Sequence, residues 1–211
     1  MDLLSMIADE RRRVAELVES LKPSELIAQS LCAEWTVHEV AAHLVTPFGI
    51  GSRRLLPILA RTRFKPHRAS ALLARELAAE RSADELALDL REHAQNPYAP
   101  PGAGLFGQLV DVQVHGQDIR RPLGLEHGLR PERIRPALEF LASPRARGAF
   151  VPKGLFDGLR FVATDTAWEA GQGLSVRGPG EALMLALTGR PIPLDELDGG
   201  GVATLRARIT P

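Results

Sequence analysis

The sequence predicts an α+β protein, helical through its first half and mixed in its second. Three observations carry this. Apolar residues recur at helical spacing through most of the first half. An irregular stretch, SPRARGAFVPKG, follows at 144–155. Beyond it, short strand-like runs flank one more helical pattern. The change of character near residue 148 suggests a helical domain over 1–147 and a small α/β domain over 148–211.

The first helix is expected over 2–21, where Leu3, Leu4, Ile7, Val14, Leu17, Val18 and Leu21 share a face and Arg11, Arg12 and Arg13 take the wet side. Thr36-Val37-His38-Glu39 reads as a capping box that opens a second helix, running to about Val45 and ending near Pro47. Residues 48–62 read as a helix despite Gly49, Gly51 and Pro57, and residues 70–94 as one or two helices with a second box at Ser82–Glu85. After a Pro/Gly-rich loop at 95–105, residues 106–121 form a strong helix ended by Pro122 and Gly124, and a short one starts near Pro131. Strands are expected at 159–164 and 174–177, a helix at 179–188, and a third strand from Val202 to Ile209. The Gly171-Gln172-Gly173 stretch lacks the setting of a dinucleotide-binding loop and reads as a turn.

Composition narrows the partners. Hydrophobic residues make up 45% and charged residues 25% of the 211, so the chain can build a packed core. Net charge is zero, which argues against nucleic acid and against an anionic membrane surface. With the single Cys32 no internal disulfide forms, and no long apolar run or secretory leader stands out; a cytoplasmic protein, monomer or homodimer, is expected.

The helix around Val112 carries the chemistry. Gln113, Gln117 and Arg120 share the side expected to be wet, while Asp111, His115 and Asp118 form a stripe between two apolar arcs and face inward. A buried carboxylate needs a partner. Asp111 and His115 are one turn apart, so their side chains converge, as two ligands of one metal ion would. A third ligand from another helix is best supplied by His43, at the edge of the face made by Val37, Val40, Ala41 and Leu44. His38, His67, His93 and His127 read as solvated surface residues. The competing reading pairs Asp111 with His115 or an arginine in a structural ion pair. Asp118 is expected to support His115 from behind or to pair with an arginine such as Arg121. Cys32 reads as a packing residue rather than a nucleophile, and Trp35 and Trp168 as anchors of packing rather than ligand platforms.

Leu31 to Leu44 (LCAEWTVHEVAAHL) and Asp111 to Gly124 (DVQVHGQDIRRPLG) resemble the two N-terminal motifs of the mycothiol-dependent maleylpyruvate isomerase family, within the DinB-like superfamily. Phe161–Trp168, Val176–Pro179 and Leu187–Pro191 resemble its C-terminal domain. The resemblance implies a DinB-like four-helix bundle followed by a small α/β domain similar to sterol carrier proteins. It implies a divalent metal on His43, Asp111 and His115, zinc in the first place, with nickel or iron as alternatives. It further implies mycothiol as thiol co-substrate, a small electrophilic substrate, and an isomerase or S-transferase reaction. Arg177 and Arg190 become candidates for holding a substrate carboxylate. The family often has Glu where this chain has Asp111. That departure leaves a second reading, a non-enzymatic small-molecule or lipid-binding protein with a vestigial metal site.

Overall fold

The computed structural model describes residues 2–49, 52–98, 102–126 and 129–210. It is mostly helical with one small three-stranded sheet, the α+β class expected. The chain separates into two compact units, Met1–Tyr98 with Asp111–His127, and Ala99–Val110 with Gly128–Pro211. Packing thus groups residues 128–147 with the second unit, whereas the change in sequence pattern comes near residue 148.

The first unit holds α1 (Leu3–Ser20), the single turn α2 (Pro23–Leu26), α3 (Val37–Gly49), α4 (Ser52–Arg61), α5 (Pro66–Glu80), α6 (Ala83–Glu92) and most of α7 (Gly104–Arg120). Its core draws Val14 and Val18 from α1, Val37 to Val45 from α3, Leu86 and Leu90 from α6, and Val112 and Ile119 from α7. Two capping boxes form as their spacing predicts. Thr36 N donates to Glu39 Oε2 at 2.7 Å, and Glu39 N to Thr36 Oγ1 at 3.2 Å. Ser82 and Glu85 repeat the pattern, and the hydrogen bonds from Ser82 hold the Glu85 carboxyl below its usual pKa.

Three expectations in this unit are corrected. Helix α3 runs through Pro47 to Gly49 rather than ending before the proline. A proline removes the amide that would bond to the carbonyl four residues back; here that carbonyl belongs to His43, and Thr46 Oγ1 donates to it at 2.7 Å instead. Arg11 is not wet but 2% exposed. Its Nη1 donates to the carbonyls of His93, Ala94 and Asn96 at 3.2, 2.9 and 2.8 Å, beyond the end of α6, and the guanidinium lies 4.7 Å from the centre of the Phe48 ring. Burial lowers its pKa to about 10, partly offset by the charge of Asp111, so the group stays cationic at neutral pH. Helix α7 has no wet side over residues 112–119; Gln113 and Gln117 are each 1% exposed. A polar arc marks solvent only where a helix has one covered face.

Helix α4 ends in a Schellman motif without glycine. Phe64 N donates to Leu59 O and Arg63 N to Ala60 O, with Arg63 and Phe64 at φ 52° and 56°.

The second unit contains α8 (Pro131–Ala142), β1 (Leu159–Ala163), β2 (Glu169–Gly171), β3 (Leu174–Gly178), α9 (Gly180–Leu187) and α10 (Val202–Ile209). The sheet order is β2-β1-β3, with β2 antiparallel and β3 parallel to β1. Leaving β2, the chain must pass the start of β1 to reach its other edge. Glycine makes this crossing feasible: a Cβ on Gly173 (φ 118°) would sit 2.2 Å from Gly158 O. Asp165 Oδ1 accepts from Gly180 N at 2.8 Å and caps the fully buried α9. The expected third strand at 202–209 is instead the helix α10. Leu205 and Ile209 are buried four residues apart, a helical spacing that the apparent alternation concealed. The third strand is β2, too short to stand out in the sequence.

Two stability measurements follow. Arg11→Met keeps the aliphatic packing but strips the donors from three carbonyls; urea unfolding should show a loss of roughly 3 kcal/mol. Arg63→Gly relieves the left-handed backbone at the end of α4 and should raise stability by about 1 kcal/mol. An unchanged or lower midpoint would show that the backbone there is not strained.

Candidate metal centre

Each of the three residues singled out in the sequence sits on a well-anchored helix. His43 lies on α3, whose start is fixed by the Thr36–Glu39 box and whose carbonyl at His43 is satisfied by Thr46. Asp111 and His115 lie one turn apart on α7. The structure brings them together: Asp111 Oδ1 is 3.6 Å from His43 Nε2 and 3.6 Å from His115 Nε2, and the donor atoms of the three residues all lie within 4.8 Å of one another. His43 and His115 meet edge to face, with ring centres 4.7 Å apart.

The spacing is one that the donors around a metal ion could have. At 3.6 Å the carboxylate oxygen is beyond hydrogen-bond range of both nitrogens. A tetrahedral ion with nitrogen and oxygen donors at about 2.0–2.2 Å holds those donors roughly 3.3–3.6 Å apart. Aspartate, though shorter than glutamate by a methylene, still brings one carboxylate oxygen to 3.6 Å from both Nε2 atoms. A second group, Cys32 with His115 and Asp118, also has its donor atoms close together. There the separations are 2.8 Å between His115 Nδ1 and Asp118 Oδ2 and 3.1 Å between Cys32 Sγ and the same oxygen, the distances of hydrogen bonds.

Both imidazoles are held from behind. Asp118, completely buried, accepts from His115 Nδ1 at 2.8 Å, and Nε2 on the other side of the ring faces Asp111. Ser70, on α5, stands 3.1 Å from His43 Nδ1; its hydroxyl can donate or accept and so suits either tautomer. Trp35 lies against both rings, 4.7 Å from His43 at an interplanar angle of 28° and 5.8 Å from His115.

Several sequence expectations change here. Asp118 stands behind His115, the first of the two arrangements expected for it. Cys32 and Trp35 do pack against the core, and they also touch the histidine cluster. His38 is half-buried, its Nε2 hidden and without a hydrogen-bond partner among the described residues. His93 is half-buried, bonded to Asp89 O at 2.9 Å and stacked on Phe48. His67 is exposed as expected, and His127 lies outside the described residues. Arg177 and Arg190 belong to the second unit. Arg177 Nε is 3.8 Å from Asp198 Oδ1, and Arg190 Nη1 donates to Thr188 O at 2.9 Å. Ser70 had no sequence signal; it is one small polar residue among the alanines and leucines of α5. Trp35 had one, since it occupies the position just before a helix cap, where a large side chain packs back onto the first turns.

Comparison with known proteins agrees with the fold. No curated protein sequence matches the chain. Among solved structures, a histidine-to-alanine mutant of the mycothiol-dependent maleylpyruvate isomerase superposes with a TM-score of 0.51 at 15% identity, over 95% of this chain and 93% of that one. At that identity the likeness speaks for the fold alone. A family profile, the mycothiol maleylpyruvate isomerase N-terminal domain, matches residues 7–120, more than half of the chain and the segment that contains His43, Asp111 and His115. The chain therefore belongs to the mycothiol maleylpyruvate isomerase N-terminal domain family.

Proposed function

We propose that the protein is a metal-dependent enzyme that uses a low-molecular-weight thiol, mycothiol in this family, to isomerise an electrophilic substrate or to transfer sulfur to it. One observation carries the reading: a single carboxylate oxygen stands 3.6 Å from the Nε2 atoms of two histidines, each held from behind through Nδ1. His43, Asp111 and His115 would hold the ion, with zinc the best match to two imidazoles and one carboxylate.

Three protein donors leave at least one coordination position open, the arrangement of catalytic rather than structural sites. A divalent cation bound there stabilises thiolate over thiol, which makes a thiol nucleophilic at neutral pH. The chain's own residues prepare for this. Asp111 contributes one negative charge against the ion's two, so the open side stays electropositive and favours an anionic sulfur. Asp118 and Ser70 fix the ring planes, so that the lone pairs need not reorganise. Trp35 covers the imidazoles on one side and keeps water from them. A thiolate that adds to an electrophilic carbon and later departs isomerises the substrate; one that remains transfers the sulfur. The fit of donor spacing to an ion argues against a vestigial centre, despite Asp111 in place of glutamate.

Protein purified without chelator or added metal should carry close to one equivalent of a divalent ion by elemental analysis. His115→Ala should lose it while keeping the helical circular-dichroism signal. Full metal content in that variant would overturn the ligand assignment. Asp118→Asn should weaken metal binding by roughly 10–100-fold, as loss of an outer partner does. Turnover of maleylpyruvate-like electrophiles should require both metal and mycothiol; turnover at the same rate without any thiol would exclude the thiol-dependent reaction.

A further inference from the structure

We propose that the turn between α4 and α5 is a docking surface for an anionic lipid bilayer. The charge along the sequence is lopsided there. From Val40 to Arg75 the chain has no aspartate or glutamate, while Arg53, Arg54, Arg61, Arg63, Lys65, Arg68 and Arg75 all fall within it. The whole-chain balance, which by itself speaks against such a partner, hides this local excess. Electrostatic attraction acts over about a Debye length, roughly 10 Å at 0.1 M salt, so a partner responds to the charge nearby rather than to the total.

Folding turns this run into a surface. One side of α4 is taken up by α5: Ile58, 2% exposed, packs with Ala69 and Leu73, and the half-buried Leu59 and Leu72 pack against them. Leu56 stays outside that seam, 64% exposed, and Phe64 in the turn is 73% exposed. Arg61, Arg63, Lys65, His67 and Arg68 are exposed as well. Arg61 is paired with Glu76 at 3.2 Å. Arg63, Lys65 and Arg68 have no ion-pair partner among the described residues. The turn itself is ordered. Phe64 N donates to Leu59 O at 2.8 Å, Lys65 N to Thr62 O at 3.1 Å and Thr62 Oγ1 to Ile58 O at 2.8 Å.

Cations interleaved with exposed apolar side chains select the partner. The phosphates of a duplex nucleic acid would meet the cations and leave Leu56 and Phe64 in water. A bilayer meets both: anionic headgroups take Arg63, Lys65 and Arg68, and the acyl boundary just below them takes Phe64 and Leu56. No helix among the described residues is long and apolar enough to cross a membrane, so the contact is peripheral. The surface uses none of His43, Asp111 and His115 and is independent of the metal centre.

The test sediments the full chain with vesicles of phosphatidylcholine alone or mixed with phosphatidylglycerol, at about 0.1 M and about 1 M salt. Binding is expected to the mixed vesicles at the lower salt, with release at the higher, and none to the neutral ones. Arg63→Gln/Lys65→Gln/Arg68→Gln should weaken it by about 100-fold, roughly fivefold per cation. Phe64→Asn, a residue that tolerates the left-handed backbone there, should weaken it roughly tenfold. An equal loss of charge from exposed arginines of the second unit, Arg135→Gln/Arg160→Gln/Arg206→Gln, should leave binding within about twofold of the wild type. The proposal is overturned if the wild type shows no preference for the anionic vesicles, or if the turn variants bind them as the wild type does. Full binding by Phe64→Asn, with a DNA duplex displacing the vesicles, would assign the cations to a nucleic acid instead. Circular dichroism checks that each variant folds; if one does not, the lipid and salt comparison on the wild type decides together with the other.

Discussion

The structure of the first unit depends on a polar stripe running along a buried helix. Helix α7 carries Asp111, His115 and Asp118 on one side, and it has no solvent-facing surface from Val112 to Ile119. Buried polar groups without partners cost several kcal/mol each, so the surrounding helices must answer them. For the stripe they do so in part: α5 brings Ser70 to His43 and the loop before α3 brings Cys32 to Asp118, while α3 sets His43 at 3.6 Å from the half-buried Asp111, outside hydrogen-bond range. The bundle is arranged around these pairings as much as around its apolar contacts.

The same rule explains Arg11. Its charge is buried, but the turn just past α6 aims the carbonyls of His93, Ala94 and Asn96 at it. Two groups that would each be unfavourable alone satisfy one another. Pro47 follows the same logic at a single site, where a hydroxyl one residue earlier replaces the missing amide.

How much of this could be read from the sequence follows from the range of each interaction. The capping boxes and the meeting of Asp111 with His115 are local, set by three- and four-residue spacings, and both were legible. His43 was legible because its helix has a clear apolar edge. Ser70 and Cys32 reach the site only through tertiary packing, 27 and 83 residues from the histidines they face, and neither carries a periodic signal. Gln113 and Gln117 misled because helical periodicity separates polar from apolar arcs without stating that the polar arc is wet. The 202–209 segment misled because a run of eight residues can satisfy both a period of two and one of 3.6, and a three-residue strand such as β2 leaves almost no pattern at all.

The two imidazoles are supported unequally, and the difference is one of commitment. A carboxylate can only accept, so Asp118 requires the Nδ1 of His115 to be the donor of their pair. The hydroxyl of Ser70 can donate or accept, so His43 keeps a choice of tautomer that its neighbour has lost. Were the proposed ion to bind here, α7 would present the ring already set for it and α3 the ring whose proton still has to settle.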